Sequence, residues 1–257
     1  MTSPTMLPPV VYDAPLINPS AHGLYLAANM HEITEGSPNR ILGGVDLYAR
    51  NCDTGWGTWD TDPCPAPDAG TLKYGVRGVP MDTFAALQVW GYDECDPTEP
   101  EDEIVVRALQ NMRLHEQILA ENHFGARLLA DAGTPTAVPD LVAAIGELEA
   151  QIGETGATAT IHLSQRYSSA LDAAGVFVGT GPIPRTRLGN ALAFGGGYES
   201  VLGNVLVATG AVTVWRSPIF QRSTVSPDEN LRAAIAERTV VAAYECLVGA
   251  VEIGGTP

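Results

Sequence analysis

Lysine is almost missing from this sequence. Of the 14 basic residues in 257, all but Lys73 are arginine, and 30 acidic residues leave a formal charge of −16. A chain this acidic repels phosphate, and its arginines are scattered from Arg40 to Arg238, with only Arg185 and Arg187 close together. A dedicated nucleic-acid binder is therefore disfavoured. There is no run of 18 apolar residues; the richest stretch, Val201 to Val214, is broken by Gly203, Asn204 and Gly210 and reads as strands and turns, so no membrane span is expected. The N-terminus has neither a basic start nor an apolar core, so export is not expected and the product reads as cytosolic.

Metal-ligand and catalytic patterns are missing too. Cys52, Cys64, Cys95 and Cys246 form no CxxC pair, so the simple reading is free thiols in a reducing compartment. A sharper one is a Cys52–Cys64 staple within a single Gly/Pro/Asp-rich segment. His31-Glu32 is not followed by the second histidine of HExxH. His115 and His123 fall two helical turns apart without a third ligand, and His162 in an apolar strand reads as a satisfied buried histidine. Gly195-Gly196-Gly197 precedes Tyr198-Glu199, which puts an acid where a phosphate would sit. Gly179-Thr180-Gly181 runs into Pro182 and Pro184 and cannot open a dinucleotide-binding helix. There is no G-x-S-x-G elbow. No residue demands a catalytic explanation, so we expect no enzyme activity, no metal and no organic cofactor.

What is present is architectural. Residues 1–30 carry Pro4, Pro8, Pro9, Pro15 and Pro19 among Leu7, Val10, Val11, Tyr12, Leu16 and Ile17. Proline at that density opposes a helix or a central strand, while the apolar content opposes a solvated tail. An extended arm that lies on something, such as a neighbouring subunit, satisfies both. Ile41–Tyr48 suggests a strand and Leu72–Val79 a returning one. Between them Asn51–Asp60 is turn chemistry carrying Trp56 and Trp59. An excursion this long is unusual in a compact domain. Exposed, the two tryptophans would anchor an interface; tucked back, they would be core.

The best-defined element follows. Thr98 and Glu101 fit a capping box, and Glu99, Glu101, Asp102 and Glu103 complement the helix dipole. Val105, Ala108, Leu109 and Met112 share a face that Leu119, Ala126 and Leu129 continue loosely past His115 and Glu116. Gly133 and Pro135 end a spine of about 30 residues, near 45 Å at 1.5 Å per residue. A second helix begins with Pro139 at its first helical position and Asp140 beside it, with Leu141, Ala144, Ile145, Leu148 and Ile152 on one face. Strands are expected at Thr158–Leu163, Ala191–Phe194, Val205–Thr209 and Thr213–Arg216. Ser164 caps a short helix that ends at Gly175. A helix-like turn at Asn230–Ala236 leads into Thr239–Cys246 and Leu247–Ile253 as a closing β-pair. The class is α+β.

This order of elements resembles the HK97-like fold of tailed-bacteriophage major capsid proteins. Thr160–Tyr167 resembles that family's strand-to-helix step, Arg187–Tyr198 its glycine-rich run ending in Gly-Tyr, and Ala236–Cys246 its closing strand. The resemblance implies residues 1–30 as N-arm, 31–95 as E-loop and flanking strands, and 96–136 as spine helix and peripheral domain. Residues 137–230 would be the axial domain and 231–257 the return to the peripheral domain. It further implies a structural, self-assembling shell subunit in hexamers and pentamers, enclosing DNA without sequence-specific binding, made in the host cytoplasm and located in the virion. Tyr12, Trp56, Trp59 and Lys73 become interface candidates. Many members carry a scaffolding segment that is later removed, and none is seen here. The resemblance then implies a separate scaffold, a mature processed chain, or a relative such as an encapsulin-like shell or a special-vertex paralogue, and it leaves room for a decoration protein as a partner. Some shells join an E-loop lysine covalently to a neighbour's asparagine. Nothing here identifies that asparagine or its helper glutamate, so Lys73 is expected to act non-covalently. A second class, a tail-tube, connector or decoration protein, would instead form rings or tubes or bind a preformed shell.

Overall fold

The computed structural model describes residues 12–33, 40–52, 55–58, 73–75, 83–98, 100–178 and 181–254. An extended stretch from Tyr12 leads to a helical turn α1 (Leu24–Ala27) and strand β1 (Asn29–Glu32). After the loop region, β2 (Leu87–Cys95) feeds α2 (Glu101–Ala132), and β3 (Thr136–Val138) feeds α3 (Leu141–Thr155). The body continues through β4 (Thr160–Ser164), α4 (Ser168–Ala173), β5 (Phe177–Val178), β6 (Arg185–Thr186), β7 (Ala191–Gly195) and α5 (Tyr198–Val201). It closes with β8 (Val205–Thr209), β9 (Val212–Arg216), β10 (Phe220–Ser226), β11 (Leu231–Tyr244) and β12 (Leu247–Ile253).

Two sheets result. In the five-stranded sheet, the 14-residue β11 pairs with β2 along one edge and with β10, then β9, along the other; β1 adds in parallel to β9. The seven-stranded sheet runs β3-β12-β8-β4-β7-β6-β5. Its central strands β4, β7 and β8 are buried at every residue, as strands covered on both faces must be. One face meets α3 through Ala144, Ile145, Leu148 and Ile152, which share a core with Ile161, Leu163, Leu192, Leu206 and Val251. The other face contributes Ala193, Val205 and Val207 to the core of α2. α3 starts two residues later than the sequence indicates: Pro139 lies outside it, and Asp140 is its N-cap, accepting from the Ala143 amide at 2.8 Å.

α2, about 48 Å long at 1.5 Å per residue, packs against β2 and β11. Its buried row is Ile104, Ala108, Met112, Glu116, Ala120, Phe124 and Leu128, one residue in four. β2 crosses it so closely that a Cβ on Gly91 would lie 2.2 Å from the Ala108 carbonyl oxygen, so only glycine fits there. Ala234 and Ala236 of β11 keep the facing side of the sheet small.

Several sequence expectations need correction. Thr98 caps no helix: its amide and hydroxyl both donate to Asp96 Oδ1, and α2 begins at Glu101 behind Pro100 with no side-chain cap. The helical face matches at Ala108 and Met112, but Leu119 and Ala126 are exposed, because the row passes through Glu116 instead of around it. The helix-like turn at Asn230–Ala236 is strand from Leu231 onward, since pairing with both β2 and β10 outweighs the helix propensity of its alanines. The last two strands do not pair with each other; β11 belongs to one sheet and β12 to the other. In place of a strand over Ile41–Tyr48 there is a 3-10 turn at Arg40–Gly43 and one bridge between Val45 and Phe84. Residues 73–75 are not strand, and the rest of the expected returning strand lies outside the described residues.

Candidate assembly surfaces and the buried groups behind them

The arm is held by its backbone. Along α2, Gln110 Nε2 donates to the Ile17 carbonyl at 2.6 Å, Gln117 Nε2 donates to the His22 carbonyl, and Glu121 accepts from the Leu24 amide at 2.9 Å. Residues 17–25 thus lie along α2 of their own subunit. The arm's outer apolar side chains do not lie there: Tyr12 is 81% exposed, and Leu16 and Ile17 are exposed as well, whereas Leu24 is fully buried in the core of α2. Residues 1–11 fall outside the described residues.

The loop behaves similarly. Trp56 and Tyr74 are each 84% exposed, and Lys73 beside Tyr74 is exposed. Trp59 lies outside the described residues, as does Cys64. The root of the loop is fixed. Glu245 accepts from the Arg50 amide at 2.5 Å, the Asn51 amide at 3.0 Å and Asn51 Nδ2 at 2.7 Å. Burial alone would raise the Glu245 carboxyl, but these donors outweigh it and hold the group below its usual range. Cys52 is bonded to Cys246, 194 residues away, which replaces both the free-thiol reading and the Cys52–Cys64 staple.

A third surface escaped the sequence reading. Trp90, Tyr92, Phe220 and Val225 are exposed on the five-stranded sheet. In the ladder Trp90 is level with Glu237 and Phe220, and Tyr92 with Ile235 and Arg222, so the aromatics share the face turned away from α2. The signal was there: in Leu87-Gln88-Val89-Trp90-Gly91-Tyr92, large apolar residues occupy both phases of the alternation.

Behind these surfaces, the buried ionisable groups are committed to one another. Glu116 of α2 sits 3.3 Å from Arg216 of β9 and 3.4 Å from Arg238 of β11, and accepts from Tyr25 Oη at 3.0 Å. Glu32 of β1 completes the cluster with ion pairs to both arginines. Burial, and then the Glu116 charge, push the Tyr25 hydroxyl far above its ordinary range, so it stays a donor. One cluster therefore ties the arm, the spine and three strands together. Glu121 is fully buried and accepts from the amides of Leu24 and Gly197 and from Gln117. Burial raises its carboxyl, against the opposing pull of these donors. A Cβ on Gly197 would lie 2.2 Å from the Ile118 carbonyl oxygen, so the glycine run serves close helix approach.

His162 is fully buried, 3.0 Å from Tyr198 Oη through Nδ1 and 3.0 Å from Thr209 Oγ1 through Nε2; burial depresses it to about 3, so the ring is neutral. It is the satisfied core histidine its apolar strand suggested. Both His115 and His123 are exposed, and among the described residues no three His, Cys, Asp or Glu side chains are grouped to share a metal ion. Among the described residues, no helix is long and apolar enough to cross a membrane.

No protein-family model matches the chain, and no curated protein matches it in sequence. Solved structures do match, over nearly its full length. The chain from the asymmetric unit of the bacteriophage PhiM1 mature capsid is 9% identical, with 98% of this chain and 92% of that one covered at a TM-score of 0.55. Mycobacterium phage Adephagia gives 15% identity, 95% and 93% coverage, and 0.57. The capsid of an empty GTA particle gives 13%, 96% and 94%, and 0.54. At these identities the likeness is one of fold: the chain has the α+β HK97-like fold of tailed-phage capsid subunits.

Proposed function

We propose that this chain is a shell-forming capsid protein of a tailed bacteriophage, located in the virion and without enzymatic activity. The observation that carries the proposal is the end-to-end match in fold to capsid chains, with more than nine-tenths of both partners covered. The surface chemistry supports it. Tyr12, Leu16, Ile17, Trp56 and Tyr74 are apolar groups that a lone subunit leaves in water and a lattice would bury. On this reading residues 1–30 are the N-arm and 31–95 the E-loop with its flanking strands. Residues 96–136 hold the spine, 137–230 the axial domain and 231–257 the return. Tyr12, Trp56, Trp59 and Lys73 contribute to contacts between copies in hexamers and pentamers, Lys73 non-covalently. The negative charge of the chain suits a shell that contains DNA without gripping it.

Negative-stain microscopy tests the proposal, on the protein expressed alone and with its neighbouring head genes. Closed shells of uniform diameter are expected. Rings or tubes would overturn it in favour of a connector or tail component, and a monomer under both conditions would overturn it outright.

A further inference from the structure

The Cys52–Cys246 bond joins two places that have nothing in common in sequence. Cys52 stands at the root of the long loop, next to the residues that Glu245 holds. Cys246 stands in the two-residue link between β11 of the five-stranded sheet and β12 of the seven-stranded sheet. A second link, Gly210-Ala211 between β8 and β9, crosses between the same two sheets beside it. The two links are hydrogen-bonded: the Gly210 amide donates to the Cys246 carbonyl at 2.8 Å, and the Glu245 amide donates to the Ala211 carbonyl at 3.0 Å. The bond therefore lands on the junction through which one sheet continues into the other.

We propose that Cys52 and Cys246 form a redox latch, closed by oxidation, that fastens the root of the loop to the junction between the two sheets. In the dithiol state the Glu245 carboxylate holds the root through three hydrogen bonds that water can replace. In the disulfide state root and junction are one covalent unit. Cys52 is exposed and the partner half-buried, and a cleft of about 360 Å³ lined by Cys52, Trp56, Thr158, Gly210 and Cys246 gives a small reagent access. The Cα atoms are 6.0 Å apart, within the span a disulfide bridges without backbone movement.

The oxidant is a low-molecular-weight disulfide such as oxidised glutathione. The Cys52 thiolate attacks one of its sulfurs, forming a mixed disulfide and releasing one glutathione thiolate. The Cys246 thiolate then attacks the Cys52 sulfur, closing the protein disulfide and releasing the second. Two electrons pass from the cysteines to glutathione, and the two protons end on its thiols. A reducing cytoplasm keeps such a pair open, and release from it permits closure. The latch goes beyond the shell proposal without depending on it, because it belongs to the single subunit.

The test uses the purified full-length chain, equilibrated with oxidised glutathione or with dithiothreitol. Peptide mapping after alkylation is expected to show Cys52 joined to Cys246 in the first state and both alkylated in the second. Hydrogen exchange is then followed for peptides covering 46–52 and 205–216. On reduction the loop-root amides are expected to exchange about tenfold faster or more. In Cys52→Ser and in Cys246→Ser the two conditions should be indistinguishable, and Cys95→Ser should respond as the wild type does. A Cys52–Cys64 bond, a bond between chains, a pair that stays alkylatable in oxidised glutathione, or exchange unchanged by reduction would each overturn the latch. None of these readouts involves particle formation, so the latch and the shell can fail separately.

Discussion

Replacing Glu116 by Gln removes one charge from the centre of the spine and leaves its shape. The consequence follows from what surrounds it. The Glu116 and Arg238 side chains are 6% and 9% exposed, and Arg216 is 24% exposed. Breaking such a buried pair on one side costs about 3–5 kcal/mol, because the remaining charge keeps its desolvation penalty without its partner. Here the lower end applies. Glu32 still faces both guanidiniums, Arg238 Nε still donates to the Ser217 carbonyl at 3.0 Å, and the new amide oxygen still accepts from Tyr25. About 3 kcal/mol corresponds to a fall of about 6–12 °C in Tm for a domain of this size. The assay is thermal and urea unfolding of the dispersed subunit, followed by circular dichroism. Glu32→Gln serves as the contrast: at 48% side-chain exposure its ion pairs are screened, and about 0–1 kcal/mol is expected. A loss below about 1 kcal/mol in Glu116→Gln, or equal losses in the two variants, would refute the idea that this cluster fastens the arm and sheet to the spine.

Three further outcomes are expected. Leu128→Ala, at a fully buried position, should cost about 2–5 kcal/mol in urea unfolding, while Leu119→Ala, on the same helix but exposed, should change it by less than about 0.5 kcal/mol; reversed values would show that the helical row is misplaced. His162 binds a proton in the unfolded chain below its ordinary 6.5 but in the folded one only near 3. Stability is therefore fully present above the upper value and falls by about 1.4 kcal/mol per pH unit as pH drops through that window. His162→Gln should remove that component from a pH series of urea melts, and an unchanged slope would contradict it. Denaturing electrophoresis of assembled particles should show single-subunit bands; a high-mass ladder abolished by Lys73→Arg would show that the lysine cross-links.

What could be read from the sequence, and what could not, divides along physical lines. β8 is legible to the residue and α3 nearly so, because the one is continuously apolar and the other carries its own cap and a clean period. α2 is legible as a helix, but its inward row could not be followed beyond Met112, since a pattern of apolar residues stops at an acid that only distant arginines make tolerable. β10 has almost no apolar period, and seven cross-strand pairs with β11 make it a strand. The first half of β11 reads locally as helix and is decided by its neighbours, while its second half, from Thr239, is legible as strand. The exposed Tyr12 of the arm and Trp56 of the loop were found by composition, while Trp90 and Phe220 needed the ladder to place them on one face. The partner of Cys52 is 194 residues away, and spacing carries no information about such a pairing.

The paired links between the two sheets have a mechanical meaning. β9 and β11 lie antiparallel in one sheet, β8 and β12 antiparallel in the other, and the links bond to each other where they cross. The subunit is thus threaded by a single two-stranded ribbon that passes from one sheet into the other, with one irregularity between Leu247 and Gly249. A pull that drags one sheet away from the other is carried by the two covalent backbones of this ribbon together, and no rung between its strands has to yield. In a shell built as proposed above, internal pressure would therefore meet covalent chain at the middle of each copy, and the weaker places would be the seams between copies.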